Sequence, residues 1–96
     1  MKINVRFVGL PSISNVVGKG KLEIDIPAKT VKAVISELTR RYGEKVREAF
    51  YDKDGNLDLM IQISHNGKSF ISADKHDTPL LKEGDSLMFM VPLAGG

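Results

Sequence analysis

The sequence contains no cysteine and no tryptophan among its 96 residues. Without cysteine the chain can form no disulfide bond, no thiolate metal site and no thiol nucleophile. Its apolar runs are only a few residues long, far shorter than a membrane-spanning helix, and the first ten residues, MKINVRFVGL, lack the apolar block of a signal peptide. These absences favour a cytoplasmic protein that does not associate with membranes and folds around an ordinary hydrophobic core.

An excess of charge of one sign is also missing. The 14 Lys and Arg residues and 12 Asp and Glu residues give a formal net charge of +2, and the two signs are mixed along the chain. No basic run alternates with aromatic residues, so direct nucleic-acid binding is not expected. Paired carboxylates, a catalytic triad, a metal cluster and a Gly-rich phosphate loop followed by a helix are absent from the sequence as well. The sequence therefore predicts a domain that is not catalytic alone and that binds no metal or cofactor itself.

Hydrophobic periodicity predicts a single α+β domain. Alternation of apolar and polar residues predicts five strands, in KINVRFV, KLEIDIP, LMIQIS, KSFIS and SLMFMV. Helical spacing predicts a main helix in TVKAVISELTRRYG, with Thr30 as N-cap and Gly43 after the last turn, and a second short helix in EKVREAFY. The Gly- and Ser-rich stretch GLPSISNVVGKG predicts an exposed loop. One amphipathic helix is expected to cover one face of a mixed sheet, and periodicity leaves open whether the first and last strands pair in parallel.

The same alternation predicts which side chains form the core and which face outward. The predicted core contains Ile3, Val5, Val34, Ile35, Leu38, Leu87 and Phe89. Met88 and Met90 then face away from the helix, and Met60 has the same outward phase in the LMIQIS segment, whose inward face begins with Leu59. Flexible Met side chains suit a surface that must fit several partners. The alternative is that loops of the chain itself cover these methionines.

The printed sequence ends with Pro92, Leu93, Ala94, Gly95 and Gly96. Without further context, a terminal Gly-Gly pair is more often a disordered end than a reactive one. Pro92 has no N–H group and can therefore end the last strand. The four residues after it can span about 13 Å when extended. Since glycine lacks a Cβ atom, such a segment can thread a narrow channel of a partner protein.

The chain resembles the ubiquitin-like β-grasp family, and most closely the sulfur carriers typified by the small subunit of molybdopterin synthase. The resemblance covers nearly the whole chain. It is carried by the order of strands and helix, by the Asn-Gly turn in ISHNGKSF, and by the segment DTPLLKEGDSLMFMVPLAGG with its acidic-Gly-Asp turn, alternating strand, proline and Gly-Gly. Relatives often carry two adjacent prolines where this chain has Val91-Pro92, and the stretches 11–20 and 44–56 are long for the shortest members.

The resemblance implies a β-grasp domain over residues 1–92, with a mixed sheet of about five strands on one main helix, and a flexible Gly-Gly tail over residues 93–96. It implies that a separate ubiquitin-activating-like enzyme, using ATP and Mg²⁺, adenylates the Gly96 carboxylate, and that a sulfur donor protein supplies the sulfur of a thiocarboxylate there. The large subunit of molybdopterin synthase is the partner expected downstream. Beside the reacting end at Gly95 and Gly96, the residues predicted to contact partners are Met60, Met88, Met90, Pro92, Leu93 and Ala94.

Several functions agree with this resemblance. A sulfur carrier of this kind serves molybdopterin (molybdenum or tungsten cofactor) biosynthesis or the thiolation of another acceptor such as tRNA. A ubiquitin-like modifier is instead joined to target lysines through Gly96. Both use the same adenylate, so the sequence does not separate them. A third reading, from another class, is a β-grasp binding module whose tail is inert.

Overall fold

A computed structural model describes residues 1–18 and 20–91 of the chain. The elements in chain order are β1 (Lys2–Val8), α1 (Pro11–Val17), β2 (Lys21–Asp25), α2 (Val31–Tyr42), α3 (Glu44–Phe50), β3 (Gln62–His65), β4 (Ser69–Ile71), a short 3-10 helix (Ala73–Lys75) and β5 (Ser86–Met90). The predicted site residues Pro92, Leu93, Ala94, Gly95 and Gly96 lie outside the described residues, and their roles stay predictions.

The strands form one mixed five-stranded sheet in the order β2-β1-β5-β3-β4. At its centre β1 and β5 run parallel, with Val5 opposite Leu87 and Phe7 opposite Phe89. The other neighbouring strands are antiparallel. This arrangement confirms the predicted α+β class and answers the question that periodicity left open, since the first and last strands do pair in parallel.

The core lies between the inner face of the sheet and the helices. All seven residues predicted for it are buried: Ile3, Val5, Val34, Ile35, Leu38, Leu87 and Phe89. The ring of Phe89 meets Phe50 of α3 edge-on at a centroid distance of 4.8 Å and stacks with Phe7 of β1 at 6.2 Å. The N-cap of α2 is also as predicted, because the Thr30 hydroxyl oxygen accepts a hydrogen bond from the Ala33 backbone N–H at 3.0 Å.

The stretch between β1 and β2 contains a helix, so the prediction of an exposed loop there is wrong. Pro11 occupies the first turn of α1, where its missing N–H leaves no hydrogen bond unmade. Gly18 ends the helix in the left-handed conformation with φ +84°. Ile13 and Val17, one turn apart, are buried and close one end of the core. The Gly, Ser and Pro content of the stretch is typical of a loop and led to the wrong prediction. The seven-residue helix is stabilised mainly by this packing rather than by its local sequence.

The third strand is shorter than the predicted LMIQIS segment, because β3 begins only at Gln62. Leu59 and Met60 lie in a turn closed by Asp58, whose carboxylate accepts from the Met60 N–H at 2.9 Å and whose carbonyl accepts from the Ile61 N–H at 3.1 Å. Leu59, predicted to face inward, is 85% exposed, so that prediction is wrong. Met60 is exposed as predicted, but it projects from a turn rather than from a strand.

Candidate functional site

The outer face of the sheet, which none of the helices in the described residues covers, carries apolar side chains along β5. Met90 lies between Val8 of β1 and Gln62 of β3, and Met88, one row further along, lies beside Ser64 of β3. Both methionines are partly exposed, and the residues that alternate with them in β5 are buried, which confirms their predicted outward direction. Val8 is also exposed. The two strands at the centre of the sheet therefore place three apolar side chains together on the outer face.

Phe70 of β4 extends this apolar surface across the sheet. It lies opposite Ser64 and is 66% exposed. Ser64 is almost fully buried although it faces outward, since it lies between the larger side chains Phe70 and Met88. Phe70 and Leu59 line one shallow groove of about 330 Å³. The sequence reasoning did not include Phe70, although the alternation with the buried Ile71 was a usable signal.

These residues form one surface, which we call the outer-face patch. Its members are Val8, Phe70, Met88 and Met90. The exposed Leu59 and Met60 lie in the turn before β3 and are not part of it. In the described part of the chain, the exposed large apolar side chains outside it are Leu59 and Met60 in that turn and Leu80 in the loop before β5. A set of exposed apolar side chains rimmed by polar ones marks an interaction surface more often than chance exposure does. The partner contacts predicted for Met60, Met88 and Met90 themselves stay predictions.

The outer-face patch borders the point where the described chain ends. Val91 directly follows Met90, and its backbone N–H donates to the Val8 carbonyl oxygen at 3.2 Å. The residue after it is Pro92, which has no N–H with which to continue this ladder. The segment that carries the predicted Gly-Gly end therefore begins beside the apolar surface.

Two positive charges flank the patch. Arg6 of β1 lies between Met88 of β5 and Lys21 of β2, and both basic side chains are exposed on the outer face. Among residues 1–18 and 20–91, neither forms an ion pair with an acidic side chain. Like charges directly opposite each other on neighbouring strands repel and weaken a sheet. An acidic group on a bound partner would relieve this repulsion.

The two turns that carry the family resemblance are bonded to each other through Asp85. Its carboxylate lies 2.7 Å from His65 Nε2 and accepts from Asn66 Nδ2 at 3.1 Å and from the Lys82 backbone N–H at 2.9 Å. The Asn66 side-chain oxygen in turn accepts from the Ser86 N–H at 2.7 Å. Burial alone raises the pKa of Asp85, but the hydrogen bonds outweigh it and hold that pKa below its usual value. The sequence motifs did not reveal this contact between His65 and Asp85.

Acid is expected to remove the stability that Asp85 contributes. A carboxyl group whose pKa is lower in the folded state stabilises the fold above its unfolded pKa, here near 3.8, and this contribution is lost as the pH falls through the folded pKa. The difference in unfolding free energy between the wild type and Asp85→Asn should therefore be largest at neutral pH and shrink below pH 3.8. Urea denaturation over a pH series measures it. A difference that stays constant with pH would show that the Asp85 pKa is not lowered.

A groove on the helical side of the molecule lies apart from this surface. It measures about 610 Å³ and is lined in part by Lys32 of α2, Arg47 of α3 and Tyr51, whose pKa is raised mainly by burial. Glu48 and Asp52 bring negative charge to the same groove, so its electrostatics favour no particular class of ligand. Within the described residues, no group of three or more His, Cys, Asp or Glu side chains is placed to hold a metal ion, and no helix has the length and apolar character needed to cross a membrane.

The comparisons with known proteins concern the fold of the chain and do not compare the outer-face patch itself. No protein-family model matches the chain, and no curated protein sequence does. Among solved structures, small archaeal modifier protein 1 (SAMP1) from Haloferax volcanii is 18% identical, with 100% of each chain covered and a TM-score of 0.75. A Pyrococcus furiosus protein named molybdopterin converting factor, subunit 1, is 26% identical over 97% of this chain and 99% of that one, with a TM-score of 0.63.

A third similar structure comes from a complex. It is the BexX/CysO complex of Amycolatopsis orientalis, in which the matching chain is 24% identical over 98% of this chain and 99% of that one, with a TM-score of 0.60. These likenesses extend over nearly the whole length of every chain compared. They confirm, at the level of the fold, the resemblance to the ubiquitin-like β-grasp family that the sequence motifs predicted. The chain therefore has the ubiquitin-like β-grasp fold.

Proposed function

We propose that the chain is a sulfur carrier whose Gly96 carboxylate is adenylated by a separate activating enzyme and then converted to a thiocarboxylate. The observation that carries the proposal is the position of the outer-face patch, which ends where the chain continues from Val91 toward Gly96. A carrier must dock on several enzymes in turn and deliver its end to each active site. A shared apolar surface beside the start of the terminal segment meets both needs.

The proposed chemistry needs only the terminal carboxylate from this chain. One carboxylate oxygen attacks the α-phosphorus of ATP, pyrophosphate leaves, and an acyl-adenylate forms. The outer sulfur of a persulfide on the donor protein then attacks the activated carbonyl carbon, and AMP leaves. A thiol next attacks the inner sulfur of the resulting acyl disulfide, which breaks the S–S bond, leaves a disulfide on the donor side and releases the chain as its thiocarboxylate. ATP and Mg²⁺ are bound by the activating enzyme, because this sequence contains no phosphate loop of its own. On this proposal the protein works in the cytoplasm, where ATP is available to that enzyme.

Molybdopterin biosynthesis is the proposed destination of the sulfur. The Pyrococcus furiosus protein, whose name places it in molybdopterin conversion, is the support for this acceptor. The proposed partners are accordingly the activating enzyme, the sulfur donor protein and the large subunit of a molybdopterin synthase. That the Amycolatopsis orientalis protein of this fold was solved in a complex supports partner binding in general. The Arg6 and Lys21 side chains would face carboxylates on such partners, which favours fast association at low salt.

The experiment that tests this proposal is ATP–pyrophosphate exchange. The purified chain is combined with the activating enzyme of the same organism and labelled pyrophosphate. Exchange that depends on the chain supports adenylation of its carboxyl end. If no exchange occurs while the enzyme is active on a second, unrelated carrier, the proposal fails for this chain.

Replacing Met90 with Asp is expected to weaken binding to the activating enzyme by at least about tenfold, because it places a charge at the centre of an apolar contact. Stability should be nearly unchanged, since the Met90 side chain is partly exposed. Isothermal titration calorimetry measures the Kd, and a thermal melt checks the fold.

Leu80→Asp serves as the matched control for Met90→Asp. It adds the same charge at an exposed apolar residue outside the outer-face patch and should leave the Kd unchanged. If Met90→Asp unfolds the domain, the patch is part of the interior and is no docking surface. Equal affinity of both variants and the wild type would also contradict a binding role for the patch.

A ubiquitin-like modifier is the second candidate, favoured by the likeness to small archaeal modifier protein 1. Both functions pass through the same adenylate and differ in what attacks it. A target lysine amine gives an isopeptide bond and conjugates of higher mass, whereas a sulfur nucleophile gives the thiocarboxylate. Intact-mass analysis of the chain and its conjugates separates the two, and tail deletion without any loss of function would favour a binding module with an inert tail.

A further inference from the structure

We infer that Gly9 is a positioning residue for the proposed reaction, because it leaves room for the backbone of Val91 and so sets the path by which the chain leaves the sheet. Nothing in the motifs pointed to this glycine. The expected effect of Gly9 on catalysis rests on the proposed function. The contact between Gly9 and Val91 concerns only described residues, and its effect on Val91 can be measured on the chain alone.

The backbones of Gly9 and Val91 approach too closely for any side chain between them. A Cβ atom added at Gly9 would lie 2.7 Å from the Val91 carbonyl oxygen and 3.7 Å from both its carbonyl carbon and its nitrogen. Real Cβ contacts essentially never fall below 3.0 Å, and the atom in the way is backbone rather than the end of a flexible side chain. Gly9 also has φ +71°, which disfavours residues with a Cβ. Only glycine fits this position without displacing its neighbour.

Gly9 and Val91 directly follow the ends of β1 and β5, and of these two segments the one at Val91 is the one that can move. Gly9 is followed by Leu10, which is buried in the core and whose carbonyl accepts the first hydrogen bonds of α1. Moving Gly9 would pull this side chain and helix out of place. Val91 is partly exposed and keeps one hydrogen bond to β1, the 3.2 Å contact with the Val8 carbonyl. A Cβ at Gly9 would therefore push Val91 away and break that contact.

Displacement of Val91 matters because the residues after it carry the reacting carboxylate. The carbonyl must retreat by several tenths of an ångström to reach ordinary van der Waals contact, and a change of direction at Val91 grows with distance along the following five residues. An error of about 1 Å at a reacting atom can cost about a hundredfold in rate. The outer-face patch keeps its side chains, so docking on the partner is unaffected. Gly9→Ala should thus lower the kcat of adenylation and leave its KM unchanged.

Gly84→Ala is the matched control for Gly9→Ala. Gly84 has a similar conformation, with φ +83°, but nothing lies within 4 Å of a Cβ added there. It precedes β5, at the opposite end of that strand from Val91. Both substitutions therefore bear the strain of a left-handed backbone, and only Gly9→Ala adds the collision with Val91.

The structural arm of the test uses the chain alone. Amide hydrogen exchange followed by NMR should show the Val91 N–H exchanging at least about tenfold faster in Gly9→Ala, while Val5 and Leu87 inside the sheet keep their protection. The sequence has no cysteine, so a nitroxide on a Gly96→Cys background labels one site only. Its relaxation effects on the outer-face patch should shift in Gly9→Ala and not in Gly84→Ala. Unchanged Val91 exchange and unchanged relaxation effects would overturn the inference, whatever the chain's function.

The functional arm is ATP–pyrophosphate exchange with the activating enzyme of the same organism, using unlabelled chains. We expect kcat to fall on the order of tenfold for Gly9→Ala, with KM within about twofold of the wild type, and no change for Gly84→Ala. A purely structural defect would instead lower the folded fraction and raise KM. If Val91 is displaced and kcat is unchanged, the positioning role is wrong. If the wild type itself supports no exchange, the proposed function fails while the structural result stands.

Val91→Gly provides a second variant in case Gly9→Ala does not fold. It frees the backbone at the start of the terminal segment without introducing a collision. The same pattern is expected, a lower kcat at unchanged KM with a normal thermal melt. A kcat equal to that of the wild type would overturn the inference.

Discussion

Removal of Gly96 is expected to abolish adenylation and leave the fold intact. The carboxylate would then lie about 3.5 Å, one residue's span, from the position it must reach. In-line attack on ATP tolerates little misplacement, since an error of about 1 Å already costs about a hundredfold. Among the described residues, every buried apolar side chain lies between Ile3 and Phe89, so the fold is expected to tolerate the deletion. ATP–pyrophosphate exchange with the activating enzyme measures the loss, and a thermal melt checks the fold.

Two related variants extend the test made by the Gly96 deletion. Addition of one residue after Gly96 displaces the carboxylate by the same distance in the other direction and should also abolish exchange. Gly95→Ala keeps the chain length and should be milder, reducing exchange through contact of its Cβ with the channel wall. If the truncated chain supports exchange as well as the full chain does, Gly96 is not the reacting residue and the carrier proposal must be abandoned.

Phe89→Ala is expected to cost about 3–5 kcal/mol of unfolding free energy, the usual loss for a fully buried aromatic side chain. Phe89 is 0% exposed and lies in the central strand pair, against Phe7 and Phe50. A small domain has a total stability of roughly 5–15 kcal/mol, so this single truncation removes a large share of it. Urea denaturation of the wild type and the variant gives the difference directly.

Phe70→Ala is the matched control, because it makes the same chemical change on the opposite face of the sheet. Phe70 is 66% exposed, and its truncation should cost less than about 1 kcal/mol. A loss of under about 1 kcal/mol for Phe89→Ala would mean that Phe89 does not face the core and that the assignment of the inward-facing residues of β5 is wrong. Similar losses for the two variants would mean that the outer face is covered rather than open.

The parts of the fold that the sequence predicted are those set by local periodicity. Alternation in β1 and β5 predicted their buried faces, and the helical spacing of α2 predicted its apolar side. The parallel pairing of β1 with β5 could not be predicted from periodicity, since it joins segments from the two ends of the chain. Helix α1 was missed because it is short and owes its stability to the core that it covers. Leu59 was misplaced because Asp58 forms a turn that interrupts the apparent strand.

In the candidate site, too, the sequence predicted what local alternation determines and missed the contacts between distant residues. The outward direction of Met88 and Met90 followed from alternation in one strand. The contact of His65 with Asp85 and the close approach of Gly9 to Val91 did not, because each joins residues that only the completed sheet brings together. In the sequence, these residues are visible only as an Asn-Gly turn, an acidic turn and an isolated glycine. None of these patterns indicates which distant residue each one contacts. Long-range backbone proximity is the information that the sequence lacked.

The most direct test of the central claim is the intact mass of the chain purified from its native source together with its partners. The account predicts a fraction of the chain whose mass is raised by the difference between one sulfur and one oxygen atom. Fragmentation should place that difference on Gly96, and the fraction should disappear in cells that lack the activating enzyme. A chain that carries only an ordinary carboxylate, whether or not the activating enzyme is present, would contradict the account.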